Sequence, residues 1–256
     1  MPIDRRSFLQ LSAATLAAGA LAATPLARSA TARAVEAIAV DALTTFDPRP
    51  IAALAEQLFP GKGAELVTAW RLRQFEYAWL RTSMGRYADF WQVTDEALVF
   101  ATKQLKLDPD RTRRERLMQG FLDIRAWPEA LPAFRTLKEA GIRLVFLSNF
   151  TARMLDAGVA NSGLGGLFEA HLTTDLVRAY KPDPRAYRMG VDALGVPRER
   201  ILFAAFGGWD AAGAKSYGYP TFWVNRANQP VEELGYLPDA QGATLIDLAQ
   251  YVLGAA

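Results

Sequence analysis

Two kinds of hydrophobic spacing alternate along most of the chain. Short, mainly apolar runs at 37–43, which carries one acid, 143–147, 170–173, 201–205, 221–224 and 243–246 have the length and content of buried strands. Between the later runs, 130–140, 152–160, 184–194 and 211–217 carry helical spacing. This alternation predicts an α/β fold, a parallel sheet flanked by helices. The segment 51–120 breaks the rhythm. It holds only helical spacing and polar breaks: 51–59, a Pro60-Gly61 stop, 65–81, 90–105 and 109–122. The reading is therefore a core built from 35–49 and 123–256, interrupted by an all-helical cap subdomain at 50–122. Residues 46–50, with two prolines, read as a turn leading into it. Ligands of such sheets sit beyond the C-terminal ends of the strands, so an insert leaving the first strand there forms a lid.

The first 34 residues belong to neither pattern. Asp4-Arg5-Arg6-Ser7-Phe8-Leu9 precedes an Ala/Leu-rich stretch, and Ala30 to Ala34 offers A-x-A cleavage sites. This is the layout of a signal peptide. Its arginine pair resembles a twin-arginine export signal, which predicts a periplasmic protein that meets a membrane only during export. Cleavage ahead of Arg33 removes Arg5, Arg6, Arg28 and Asp4, and the chain's 29 basic and 27 acidic residues become equal in number. A near-neutral protein gives no reason to expect nucleic acid as a partner. The basic run 111–116 contains Glu115 and reads as a solvated helix face.

With 51% hydrophobic and 22% charged residues, the chain can bury a sizeable core. It has no Cys and a single His, His171, which excludes thiolate chemistry and argues against a Ser-His-Asp triad or a His-rich zinc site. Catalysis must rest on other groups. Polar residues recur where the predicted strands end: Asp41 and Thr45, Ser148-Asn149, Asp175 and Lys181, then Trp209-Asp210. Each alone reads equally well as a turn former or helix cap. Together they supply a carboxylate, a hydroxyl, a lysine and a second carboxylate, the equipment of covalent catalysis by an aspartate nucleophile.

These residues, with Tyr180-Lys181-Pro182-Asp183, Tyr187 and the run 209–214, resemble the haloacid dehalogenase superfamily. The cap residues Trp70-Arg71, Gln74, Glu76-Tyr77, Trp79-Leu80-Arg81, Gly85-Arg86-Tyr87 and Phe90 are similar to its type II (S)-2-haloacid dehalogenases. The resemblance covers essentially all of the chain beyond the leader. It implies a Rossmann-like core under a helical cap, a homodimer, and hydrolysis of a 2-halocarboxylate by water with no cofactor and no metal. It further implies that Asp41 attacks C2, and that Lys181 stabilises Asp41 while Asp210 positions Lys181 and helps deprotonate water. Thr45 would bind the other Asp41 oxygen, and Ser148 and Tyr187 would orient the site. Arg71 and Asn149 would receive the halide within a wall that includes Trp209, Phe90 and Leu43.

Two departures separate the chain from the superfamily's phosphatases. Leu43 replaces their acid two residues after the nucleophile, and Gly207-Gly208 replaces their metal-binding acid ahead of Asp210. A hard dication wants several oxygen ligands, and a transferring phosphoryl group wants that dication. Departures from the dehalogenases also occur. Ala205 and Gly207 stand where that family brings Ser and Asn into the site, and Leu72 stands at a position that is commonly polar in its cap. Other hydrolases of this superfamily, or a periplasmic binding relative that turns nothing over, are the alternatives.

Overall fold

Ala37 and Ala39 face one side of a sheet and Ile38 and Val40 the other, all four fully buried, as a strand covered on both faces requires. They form β1 (Ala37–Val40), at the centre of a computed structural model that describes residues 35–108 and 110–254. The leader read at 1–34 lies outside the described residues. β1 is flanked by β4 (Arg143–Ser148) and β6 (Ile201–Ala205), with β5 (Ala170–Thr173) beyond β4, and β7 (Thr221–Val224) and β8 (Ala240–Gly242) beyond β6. The order is β5-β4-β1-β6-β7-β8, and every pairing is parallel. The order reverses direction at β1, which opens a crevice at its C-terminal end.

Helices cover both faces. Side chains of α6 (Ala130–Glu139), α7 (Ala152–Asn161) and α10 (Leu245–Leu253) join the Ile38/Val40 face through Phe134, Leu155 and Leu248. α8 (Pro184–Leu194) and α9 (Gly208–Tyr217) join the Ala37/Ala39 face through Tyr187, Met189 and Ala214. Local signals fix their starts. Thr151 Oγ1 accepts the Met154 N–H ahead of α7, and Asp183 caps α8 with Pro184 in its first turn.

The insert holds four helices: α2 (Arg49–Leu58), α3 (Gly63–Ser83), α4 (Phe90–Gln104) and α5 (Arg111–Gln119). α3 and α4 pack as a hairpin. The Trp70 indole donates to the Thr94 carbonyl at 2.7 Å, Gln74 donates to Thr94 Oγ1 at 2.6 Å, and Arg81 pairs with Glu96 at 2.6 Å.

Four sequence expectations need correction. Residues 46–47, read as part of a turn, form β2 (Phe46–Asp47), paired antiparallel with β3 (Arg125–Ala126) at the root of the insert. The apolar run 243–246 is not a strand. β8 ends at Gly242, and Thr244 caps α10 through a capping box in which Asp247 bonds back to Thr244 N. α9 begins at Gly208 rather than 211, which puts Trp209 and Asp210 in its first turn. The chain leaving β1 likewise coils at once into α1 (Ala42–Thr45), so the strand stops at Val40 and Asp41 is that helix's cap.

Candidate active site

Every group of the site is delivered by an element that ends at the crevice. Asp41 follows β1, Ser148 closes β4, Lys181 follows β5 through a short turn, and Asp210 follows β6. Asp41 is 3% exposed, while Lys181 and Asp210 are wholly buried. Lys181 Nζ donates to Asp41 Oδ2 at 2.6 Å and to Asp210 Oδ2 at 2.7 Å. The second Asp41 oxygen, Oδ1, accepts the Leu43 N–H at 2.7 Å. One ammonium thus joins two carboxylates that loops over 140 residues apart in sequence bring together.

Burial alone would lower the Lys181 pKa, but the Asp210 and Asp41 charges outweigh it and hold the ammonium above the ordinary lysine value. Asp210 moves the other way. Loss of hydration pushes its carboxyl up to about 6, with Lys181 opposing and Asp41 adding repulsion. The Tyr187 hydroxyl donates to Asp210 Oδ1 at 2.9 Å, so both Asp210 oxygens are held. Burial, followed by the Asp210 charge, keeps this phenol well above its usual range and therefore protonated.

Ser148 Oγ accepts the Phe150 N–H at 3.1 Å, which leaves its own proton to be donated. Asn149 Oδ1 accepts the Lys181 N–H at 3.2 Å, and this turns the amide NH2 away from that bond with no protein partner among the described residues. Arg71 keeps one side open to solvent, yet protein crowds it enough that lost hydration lowers its pKa, with the Asp41 charge opposing. It has no carboxylate partner among the described residues and lies 5.6 Å from the Phe206 ring centre. Arg71 and Leu43 both line a cavity of about 230 Å³ with Ile51, Val67 and Phe121.

The wall is aromatic. Trp209 lies 5.3 Å from both Phe75 and Trp79, and Phe75 reaches Phe90 at 6.4 Å and Phe206 at 5.8 Å. Phe90 in turn stacks on Phe150 at 5.8 Å and tilts against Tyr180. The cap is tied to the lysine turn by several polar contacts. The Trp79 indole donates to the Lys181 carbonyl at 3.2 Å, Tyr180 N donates to Thr82 Oγ1 at 3.0 Å, and the Tyr180 hydroxyl donates to the Ala88 carbonyl at 2.5 Å. Tyr87 donates to Asp175 at 2.6 Å.

Comparison with known proteins decides what this arrangement belongs to. The family model described as haloacid dehalogenase-like hydrolase matches residues 6–218. The chain belongs to the haloacid dehalogenase-like hydrolase family. Haloacetate dehalogenase H-2 of Moraxella sp. (strain B) is 41% identical over 196 residues, 77% of this chain and 88% of its own. The (S)-2-haloacid dehalogenase of Pseudomonas sp. (strain YL) is 40% identical over 202 residues, 79% of this chain and 87% of its own. Among solved structures, the L-2-haloacid dehalogenase of Xanthobacter autotrophicus with chloropropionic acid covalently bound superposes with a TM-score of 0.80 at 33% identity. It covers 87% of this chain and 100% of its own.

In this haloacid dehalogenase-like hydrolase, the sequence-derived set falls into two groups. Asp41, Lys181, Asp210, Tyr187 and Asn149 are linked by hydrogen bonds, with Leu43 joined through its backbone. Trp209, Phe90 and Arg71 stand in or beside the aromatic wall. Thr45 departs from expectation. Its Oγ1 is buried with no hydrogen-bond partner among the described residues, and the Asp41 oxygen meant for it accepts the Leu43 N–H. Thr45 lies at the far end of α1, whereas the amide two residues after Asp41 points straight back at the carboxylate. Phe75, which forms part of the wall, was not among the site residues read from the sequence. The i, i+4 spacing of Arg71, Phe75 and Trp79 puts all three on one face of α3, and that signal identifies the face turned to the core.

A glycine of the hydrolase family core closes the site from behind. A Cβ built on Gly213 of α9 would stand 2.5 Å from the Tyr187 hydroxyl and 2.6 Å from Pro182 Cβ. Gly213→Ala is therefore expected to displace both the phenol that holds Asp210 and the turn that carries Lys181. Overpacking of this kind costs about 1–3 kcal/mol. Urea denaturation of wild type and variant checks it, and an unchanged midpoint would mean that the α8–α9 contact relaxes freely.

Proposed function

We propose that this hydrolase converts (S)-2-haloacids to (R)-2-hydroxy acids through an ester formed on Asp41. The observation that carries the reading is the buried Lys181 ammonium bridging Asp41 and Asp210 under an aromatic wall. A carboxylate oriented by an ammonium, in a place where water is scarce, is a nucleophile ready for displacement at carbon. The covalently bound chloropropionic acid of the Xanthobacter relative supports the same chemistry here.

In the first step an Asp41 oxygen attacks C2 from the side opposite the halogen. The new C–O bond forms as the carbon–halogen bond breaks, inverting C2 and releasing halide. Arg71 and the free Asn149 amide supply its hydrogen-bond donors, and the positive edges of Trp209 and Phe90 complete its surroundings. The Ser148 hydroxyl donates to the substrate carboxylate. In the second step water attacks the Asp41 acyl carbon, Asp210 accepts its proton, and Lys181 stabilises the oxyanion. Collapse breaks the acyl–oxygen bond, frees the 2-hydroxy acid and restores Asp41. Among the described residues no three His, Asp or Glu side chains gather as a metal set, and the proposed route uses none. The Arg5-Arg6 leader supports export to the periplasm before this chemistry begins, and the family resemblance supports a homodimer.

The test is halide release from (S)-2-chloropropionate in EDTA, with the product's configuration read in the same sample. Chloride and (R)-lactate in equal amounts are expected; no halide from chloro-, bromo- and fluoroacids overturns the reading. Ala205 and Gly207 place no polar side chain beside Asp210, and a ligand-binding relative without turnover is the reading that such a silence favours.

The raised Asp210 carboxyl makes a second expectation. Hydrolysis of the Asp41 ester needs Asp210 as a carboxylate, and the ester removes the Asp41 charge that helps raise it, so kcat is expected to fall about tenfold per pH unit along an acid limb that sets in below about 6. Its contribution to stability runs in the opposite sense. A folded-state pKa raised from 3.8 means that the fold binds the proton more tightly than the unfolded chain does. This group's contribution is full below about 3.8 and declines as pH rises through about 6. A pH–rate profile whose acid limb is unchanged in Asp210→Asn would assign that limb to another group.

A further inference from the structure

A cavity of about 960 Å³ opens directly off the proposed catalytic centre. Its inner end is formed by Leu43, whose N–H holds Asp41, by Arg71, which feels the Asp41 charge, and by Phe206. Its outer wall is Trp223 and the segment 225–233, which presents Gln229, Glu232 and Glu233.

Two glycines let the cavity's walls pack closely. Gly207 and Gly208 line the cavity where it leaves the site. A Cβ on Gly208 would stand 2.9 Å from Glu232 Cγ, and one on Gly207 would stand 3.0 Å from the Trp209 indole nitrogen. Gly208 thus lets Glu232 of the 225–233 segment seat against the start of α9, and Gly207 lets the Trp209 ring fold back beside it. Leu43 adds an apolar surface at the inner end, and Glu232 and Glu233 have no ion-pair partner among the described residues. The space is therefore apolar near C2 and polar at its rim.

Cavities of roughly 300–1,000 Å³ hold ligands of drug size, far larger than a propionate skeleton. We propose that the preferred substrate is a 2-haloacid whose C2 substituent is an unbranched chain several carbons long, laid along Leu43 and Phe206 toward Trp223 and the 225–233 segment. This rests on the dehalogenase reading of the site. The chain's apolar length covers Leu43 and Phe206, and its end reaches the hydrated rim.

The experiment compares (S)-2-bromopropionate with (S)-2-bromohexanoate and (S)-2-bromooctanoate on the full-length protein, by bromide release. The expected result is a kcat/KM about tenfold or more higher for the longer acids, carried mainly by KM, as added methylenes find an apolar wall. Ala227→Trp places a bulky ring on the exposed outer wall. It is expected to erase that advantage while leaving the bromopropionate rate unchanged. Equal or better use of the short acid overturns the chain site, makes the cavity only a solvent route, and leaves the dehalogenase reading standing. An Ala227→Trp variant that slows short and long acids alike also overturns it. Silence with all three acids overturns both readings.

Discussion

Replacing Asp41 with Asn is expected to abolish halide release, by about four orders of magnitude or more, while leaving the protein folded. The loss follows from the role. An amide oxygen is a poor nucleophile toward saturated carbon, and residues that act as one catalytic unit are not partly replaceable. The retained fold follows from the charges. One ammonium, Lys181, faces two carboxylates in a wholly buried space, so the centre carries an excess of negative charge whenever Asp210 is ionised. Asn at position 41 removes that excess and keeps an oxygen for Lys181 Nζ. The Leu43 N–H keeps its acceptor if the side-chain oxygen turns to it, at the cost of the Lys181 contact. Removing the Asp41 charge also removes one of the causes that raise the Asp210 carboxyl, so its pKa is expected to drop below about 6. Halide assays with mass spectrometry for a covalent adduct, and carboxyl titration followed by NMR, read the two effects separately. Turnover within tenfold of wild type would remove Asp41 from the nucleophile's role.

What the sequence discloses about this molecule depends on how far a signal extends along the chain. β1 was readable because four consecutive buried residues admit no polar face, and the insert because seventy residues keep helical spacing without a strand run. The β2–β3 ribbon was not readable, since two-residue strands carry no periodicity and Pro48 and Pro50 look like a turn. Residues 243–246 misled because four apolar residues suit a strand or a helix equally. The deciding feature is the Thr244–Asp247 capping box, a signal of spacing rather than of hydrophobicity. The site shows the same division. Asp41, Lys181 and Asp210 were legible as polar residues at strand ends, because a parallel sheet brings those ends together whatever their separation in sequence. The Leu43 amide that binds Asp41 was not, because every non-proline residue carries the same donor and only the turn of α1 aims this one. Nor could sequence alone single out Gly213, whose importance is a 2.5 Å approach to Tyr187 that exists only once α8 and α9 are packed.

Lys181→Met is expected to be the more damaging change to the fold, and it separates what the lysine does for stability from what it does for catalysis. Met matches the length and volume of the stem but leaves Asp41 and Asp210 facing each other with no cation between them. Breaking a buried ion pair by removing one partner costs about 3–5 kcal/mol, because the abandoned charge stays out of water. The two carboxyl groups would respond by holding a proton, so the pKa of at least one rises. The variant is then expected to become more stable as pH falls, since a folded-state pKa above the unfolded value gives stability that is lost as pH rises. Activity should fall by about 10³-fold or more, as the oxyanion loses its donor and Asp41 its ammonium partner. The double variant Lys181→Met/Asp210→Asn discriminates further. It removes one of the stranded carboxylates and keeps a side chain that Tyr187 can still contact, so urea denaturation should recover much of the lost stability while halide release stays absent. No recovery of stability would mean that Lys181 supports the fold through its ammonium over the Phe203 ring, 5.0 Å away, rather than through the two carboxylates. Lys181→Arg is expected to restore little, because a planar guanidinium cannot replace a tetrahedral point charge in a space with no solvent to take up the difference.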